Sequence, residues 1–365
     1  MAQKRIYLDH AATTPMRPEA KAAMAVAMDG WANPSSPHAE GRAAKAALQE
    51  ARARLKAALG WAGEVIFTSG ASEAIAIALR APGERRIVTS PVEHDAVLRL
   101  TPRAERLPAD SNGLVLLRKQ EPSGAGDETG LLLSQEHKGA VFVIQHANNE
   151  TGVIQPLDAI AAAVRETGGI LLADCAQTAG KLPLPDADMI VLSAHKFGGP
   201  PGAGALLVRE YGLIHAVGGQ EHGYRPGTEN LPGILAMVAA LEAPKRWIAD
   251  ATALRSRLEE RILAAGGEIV GTSSPRLPTI GAYRMPGVPA AAQLIQCDAA
   301  GIAVSAGSAC SSGSLKASHV LAAMGMDEAA AREVVRVSFG WSTTEEELLR
   351  FADLWAEMAA RRRAA

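Results

Sequence analysis

The sequence predicts an α/β protein with a mainly parallel central sheet flanked by helices, followed by a second, smaller unit. Three observations lead there. Short apolar runs at 65–67, 86–89, 141–144, 170–173, 189–192 and 204–208 have the length of buried strands. Helical segments separate several of them, notably 157–166. Two of the runs end in charge that a strand interior does not tolerate: Asp174 follows the first, and His195 and Lys196 follow the second. Alternating strands and helices pack as a parallel sheet covered on both faces. Such a sheet binds its ligands beyond the carboxyl ends of its strands.

Taken in order, residues 19–28 and 42–59 are Ala-rich with charges at helical spacing, and read as helices. The strand at 65–67 runs into Thr68-Ser69-Gly70-Ala71-Ser72-Glu73 and a helical run to residue 79. Residues 121–135 are Gly-, Ser- and Glu-containing and read as an irregular insertion. From about residue 241 the texture changes. A charged amphipathic helix at 251–265 leads to strand-like runs at 268–270, 301–304 and 336–339, and a helix at 344–361 closes the chain.

Composition narrows the function. The 365 residues are 48% hydrophobic and 21% charged, with a net charge of −2, which gives no footing for nucleic acid or an anionic membrane. No apolar run approaches the roughly 20 residues that span a bilayer. The first ten residues lack the apolar stretch of a secretory signal. Cys175, Cys297 and Cys310 form no spacing motif, so a reducing cytoplasm is expected.

A carboxylate and an amine at neighbouring strand ends suit pyridoxal 5'-phosphate, which needs a lysine to form a Schiff base and an acid to keep its ring nitrogen protonated. Taken singly, Asp174 also reads as a helix N-cap and Lys196 as a surface residue. Gly70-Ala71-Ser72, between a strand and a helix, would offer phosphate its N–H groups and a hydroxyl, though a Ser there is equally an N-cap. Thr228 is a phosphate donor or turn chemistry. His94 stacks on a flat ring or caps a helix, and Asn149 is a site residue or part of an Asn-Asn turn.

The residues in combination resemble a family. Tyr7-Leu8-Asp9-His10-Ala11-Ala12-Thr13-Thr14-Pro15, Asn33-Pro34-Ser35-Ser36, Thr68 to Glu73, Glu93-His94, Asn148-Asn149-Glu150-Thr151-Gly152 and Asp174-Cys175-Ala176-Gln177 carry the likeness. It continues through Ser193-Ala194-His195-Lys196, Gly218-Gly219-Gln220-Glu221, Arg225-Pro226-Gly227-Thr228 and Gly307-Ser308-Ala309-Cys310. Nearly end to end, the chain is similar to the class V, fold-type I, pyridoxal-phosphate enzymes, and among them to cysteine desulfurases of the group that builds iron–sulfur clusters.

The resemblance implies a large cofactor domain at 16–248 and a smaller α+β domain from 1–15 and 249–365. It implies that Lys196 binds the cofactor, that Asp174 pairs with the pyridine nitrogen, and that Gln177 and Asn149 attend the ring oxygen. His94 would stack on the ring and move protons. Ala71, Ser72, Ser193 and His195 would hold the phosphate, joined by Thr228 from a neighbouring subunit, so a homodimer is implied. Arg336, assisted by Asn33, would clamp a substrate carboxylate, a task suited to a bidentate guanidinium. Cys310 would take the substrate sulfur as a persulfide and pass it to an acceptor or iron–sulfur scaffold protein. No resident metal is implied, only transient contact of Cys310 with a cluster.

The neighbours of Cys310 are small or polar, which suits a reactive loop better than a core. Trp341 stands where relatives often carry a second arginine, and Ser72 and Pro226 replace Thr and Ser. Two other readings stay open here: another class V enzyme, such as an aminotransferase or selenocysteine lyase, and a non-catalytic sulfur-carrier binding protein.

Overall fold

The computed structural model describes residues 5–80, 85–117, 133, 137–307 and 317–364. The chain opens with β1 (Ile6–Tyr7), α1 (Pro18–Met28) and α2 (Ala39–Leu59). Its central run is β2 (Glu64–Thr68), α3 (Ala71–Ala78), β3 (Ile87–Thr89), α4 (Asp95–Leu100), β4 (Glu105–Arg106), β5 (Val141–Gln145), α5 (Leu157–Glu166), β6 (Ile170–Asp174), β7 (Met189–Ser193) and β8 (Gly204–Val208). After these come α6 (Leu231–Glu242), α7 (Trp247–Ala264), β9 (Glu268–Ile269), β10 (Ile280–Arg284), α8 (Ala290–Ala299), β11 (Ile302–Ala303), α9 (His319–Ala323), α10 (Glu328–Ala331), β12 (Val334–Ser338) and α11 (Glu345–Ala364).

The central sheet has the order β2-β8-β7-β6-β5-β3-β4. It is parallel from β4 through β7, as the sequence predicts, while β8 runs antiparallel to both of its neighbours. The cause is the short connection 194–203, which lacks the length for the crossover that a parallel return requires. Strands β5 to β8 are buried along their whole length. Their side chains alternate between two cores with the period of two that a strand imposes. Phe142, Ile144, Leu171 and Ala173 pack with α2, α5 and α6. Val141, Val143, Ile170 and Leu172 pack on the other face with α3 and α4.

A separate apolar cluster joins β1, β10, β11 and β12 to α7, α8 and α11 around Trp355, which is fully buried and meets the Tyr283 ring edge-on at 6.5 Å. There β10 lies between β12 and β9, and β1 pairs in parallel with β11. Residue 9 bridges to Ser338, so the N-terminus belongs to this C-terminal cluster rather than to the central sheet.

Several elements differ from expectation. The helix placed at 251–265 starts earlier, at Trp247, and the strand placed at 336–339 is Val334–Ser338. Helix α6 and strand β10 were not anticipated. Helix α6 carries no clear amphipathic stripe because Gly233, Ala236 and Ala240 are buried along with Leu231, Ile234, Met237, Val238 and Leu241, and the helix packs on α1 and α2. The insertion expected at 121–135 falls outside the described residues apart from residue 133.

One buried ion pair fixes the edge of the sheet. Arg52 on α2 forks onto Glu221 at 2.9 and 3.0 Å, and Glu221 also accepts the Phe67 N–H at 2.8 Å. Glu221 and His222 hold φ of 49° and 57°, so this pair pins a left-handed turn of the segment that leads to Thr228. Removing one partner strands a buried charge. Arg52→Ala is therefore expected to cost about 3–5 kcal/mol, read as a lower urea midpoint, with Glu221→Gln losing less because it keeps an acceptor for Phe67.

Candidate active site

Strands β6 and β7 lie side by side in parallel, with Asp174 level with Val191. Asp174 is the last residue of β6. Strand β7 ends at Ser193 and turns at once through a 3-10 segment, Ala194–Lys196. Both polar groups thus emerge at the carboxyl edge of the sheet. They face a cavity of about 390 Å³. Of the candidate residues, Ala71, Ser72, His94, Asn149, Asp174, Gln177, Ser193, His195 and Lys196 line it.

The carboxylate is buried, which raises its pKa, while the Ala176 N–H at 2.9 Å, His94 and Lys196 work against the rise. His94 caps α4 by accepting the Ala96 N–H on Nδ1 at 3.1 Å, so its neutral ring carries the proton on Nε2. Burial lowers its pKa; Asp174 opposes this and Lys196 reinforces it. His195 is pulled down to about 4 by burial and by Lys196. Lys181, which donates to the Gln177 carbonyl at 2.9 Å, is pulled down to about 7 by desolvation and by the Lys196 charge.

The amine of Lys196 donates to the carbonyls of Ala11 and Ala12, at 2.6 and 2.9 Å. Gln177 Nε2 donates to the same Ala11 carbonyl at 3.0 Å, His195 Nδ1 meets Thr13 Oγ1 at 3.2 Å, and Thr14 Oγ1 donates to the Lys196 carbonyl at 3.1 Å. The N-terminal turn therefore forms one wall of the site. Sequence reasoning gave it no chemical role, although the Tyr7 to Pro15 motif marked it.

Two features fit a phosphorylated, ring-bearing ligand. Gly70 takes φ of 155°, a conformation reserved for glycine, and starts α3 with no side-chain cap among the described residues. A Cβ on Gly204 would stand 2.6 Å from the Gly70 Cα, so the corner closes tightly beneath Ser193. Helix first-turn N–H groups without intrahelical partners bind anions. Also lining the cavity, Gln177 Oε1 is buried with no hydrogen-bond partner among the described residues, an acceptor awaiting a donor from a ligand.

Other candidates lie elsewhere. Thr228 is exposed and outside the cavity, its carbonyl accepting from Arg225 at 3.2 Å. Asn33 is not brought to Arg336: it is exposed and caps its own turn by accepting the Ser35 N–H at 2.9 Å. Arg336 does not line the cavity but reaches its wall, donating to the Asn149 carbonyl at 3.0 Å and to Asp9 Oδ1 at 2.6 Å. Trp341 donates to the Pro15 carbonyl at 2.8 Å beneath the Arg17 guanidinium. Cys310 lies outside the described residues. Among the described residues no cluster of His, Cys, Asp and Glu could hold a metal ion, and no helix is long and apolar enough to cross a membrane.

The family model for aminotransferase class-V matches residues 6–351. The chain belongs to that family. Within it, the chain is 36% identical to a cysteine desulfurase of Cereibacter sphaeroides over 370 residues, covering 96% of this chain and 95% of the relative. It is likewise 36% identical to the cysteine desulfurase IscS of Dictyoglomus turgidum, covering 95% and 92%. A NifS-like protein from Rickettsia africae superposes with a TM-score of 0.83 at 27% identity, over 98% of this chain and 99% of that one. A structure titled SspA in complex with cysteine superposes with a TM-score of 0.76 at 28% identity, over 92% and 98%. This class-V protein is an enzyme of the cysteine desulfurase group.

The buried histidines make a pH prediction. His10 is pulled down to about 3 by burial and by Lys181, and His195 to about 4. Both pKa values lie below the unfolded value of 6.5, so the unfolded chain binds more protons as the medium acidifies. Their contribution is complete above about pH 6.5 and is lost as pH falls towards 4 and then 3. The urea midpoint is expected to drop between pH 7 and pH 5, and His10→Gln to show a smaller drop. An equal drop in the variant would refute the assignment for His10.

Proposed function

We propose that this enzyme removes sulfur from L-cysteine, releasing L-alanine and leaving a persulfide on Cys310, with pyridoxal 5'-phosphate held in the 390 Å³ cavity. The convergence of Asp174, His94, Lys196 and the Gly70 corner on one cavity carries the reading. The solved relative titled as a cysteine complex and the cysteine desulfurases at 36% identity support the substrate.

The donor set divides the cofactor between its two ends. Ala71, Ser72, Ser193 and His195 would hold the phosphate, and His94 would stack on the ring. Asp174 would keep the pyridine nitrogen protonated, its own carboxyl buried so that the charge is felt at short range. Gln177 and Asn149 would attend the ring oxygen, where the unpartnered Gln177 Oε1 accepts a proton donor. When bound, the cofactor supplies an electron sink for bond breaking at the substrate α-carbon.

Lys196 Nζ would hold the cofactor at rest and then move the α-proton. The carbonyls of Ala11 and Ala12 orient it. Arg336 would bind the substrate carboxylate from beyond Asn149. Cys310, as a thiolate, would form the new S–S bond while the substrate C–S bond breaks, so that cysteine and one thiol become alanine and one persulfide. The described residues flanking Cys310 support delivery to this site. Ser305 bridges to Arg336, and Ser318 donates to Glu150 at 2.5 Å, next to Asn149.

Exposure of Thr228 away from its own cavity supports service to a second copy, hence a homodimer with shared sites. The separate cluster around Trp355 supports a division into domains of 16–248 and of 1–15 with 249–365. A sulfur-acceptor or iron–sulfur scaffold protein would take the persulfide. The buried free thiols Cys175 and Cys297 accord with a cytoplasmic setting.

Alanine and sulfide formed from cysteine under reductant test the reading. Cys310→Ala is expected to keep cofactor absorbance and lose sulfide release by at least about a hundredfold, whereas Lys196→Ala loses the absorbance of lysine-bound cofactor. Full sulfide release by Cys310→Ala would overturn the assignment in favour of another class V activity. In a second measurement, Gly204→Ala is expected to weaken cofactor binding about tenfold or more, because its Cβ displaces the phosphate corner.

A further inference from the structure

Arg336 stands in the middle of β12, opposite Ala282 of β10, and its side chain is only 7% exposed. A guanidinium has five N–H donors, and buried donors are normally all used. Here Nη2 donates to Asp9 Oδ1 at 2.6 Å and Nη1 to the Asn149 carbonyl at 3.0 Å, while Nε is buried with no partner among the described residues. Two of the three nitrogens thus have acceptors from this chain, one of them a carboxylate, and the buried Nε has none among the described residues.

Asp9 is not free to leave. Its carbonyl accepts the N–H groups of Ala12 and Thr13 at 3.1 and 3.3 Å and the Tyr7 hydroxyl at 3.1 Å, and its backbone bridges to Ser338. The same turn presents the two carbonyls that hold Lys196. Its carboxylate is therefore a fixed charge beside the guanidinium, set in place by the turn that positions the amine.

We infer that Asp9 is a positioning residue that sets the selectivity of Arg336, by balancing most of the guanidinium charge with a carboxylate that the chain itself supplies. The inference rests on the reading above, in which Arg336 binds that carboxylate. An incoming anion meets an ion pair of zero net charge rather than a bare cation, and the fixed carboxylate repels it at short range. A simple carboxylate then gains little from the site. An amino acid, whose amine also engages at the Lys196 end, gains enough to bind. Selection by the whole zwitterion follows from a charge the chain supplies itself.

The cofactor-loaded enzyme tests this through Asp9→Asn, which keeps an oxygen for Nη2 and removes the charge. The expected result is a KM for cysteine at least about threefold lower and inhibition by acetate at least about tenfold stronger, with the cofactor spectrum unchanged. Asp9→Ser removes the same charge with a smaller side chain and is expected to shift acetate inhibition in the same direction. Asp9→Glu keeps the charge and is expected to retain the weak acetate inhibition of the parent. A raised KM, or acetate inhibition within twofold of the parent in both neutral variants, would overturn the inference. Arg336→Ala separates the two layers. If it leaves the KM for cysteine unchanged, the carboxylate role of Arg336 falls; if it raises KM steeply while the neutral variants show no acetate effect, only the role of Asp9 falls.

Discussion

The site is organised by the hydrogen bonds from Lys196 to the carbonyls of Ala11 and Ala12. A lysine at the end of a strand has four rotatable carbons and no fixed direction of its own. Two acceptors in a rigid turn give it one. The turn is rigid because the strand before it pairs with β11, Ala11 N–H donates to Ser338 Oγ at 2.8 Å, and Thr14 is tied to His195 and Lys196. The central sheet contributes the reactive side chains, and the C-terminal cluster, acting through the N-terminal turn, contributes the geometry. Neither part holds the site alone.

The electrostatics follow from this crowding. Burial penalises charge, and around Lys196 the neighbouring groups respond according to their sign. His195 and Lys181 are shifted toward their neutral forms, while Asp174 has a raised pKa that Lys196 and His94 hold in check. Glu93, fully buried and close to Asp174, is raised well above the ordinary carboxylate range and spends its oxygens on Ser90 and on the Gln145 N–H. The nearby histidines His94 and His195 are thereby shifted toward neutral hydrogen-bonding partners. Cys175 lies next to Asp174 but is buried, with its thiol pushed far up, so it takes no part as a nucleophile.

Much of this was legible in the sequence, for a local reason. Asp174 and Lys196 announce themselves because charge directly after a buried strand contradicts the apolar run before it. The Gly70 corner is likewise readable as a break between strand and helix. The N-terminal turn was not readable as chemistry, since it acts through main-chain carbonyls that every residue possesses. Helix α6 was missed because a segment buried on nearly all sides shows no periodicity. The reversal of β8 depends on the length of one connection rather than on its strand residues, whose apolar pattern is the same in either direction. Asn33 was carried over from a motif, and here its side chain closes its own turn.

The same principle explains how a reaction can be shared between a cofactor site and a distant part of the chain. The described ends that flank Cys310 are tied to the immediate neighbours of site residues. Ser305 pairs with Arg336 through both main-chain hydrogen bonds, at 3.1 and 2.7 Å. At the other end Ser318 bonds Glu150, adjacent to Asn149, and His319 Nε2 bonds the Glu93 carbonyl at 2.9 Å, adjacent to His94. Both ends lie against the wall that holds His94, Asn149 and Arg336.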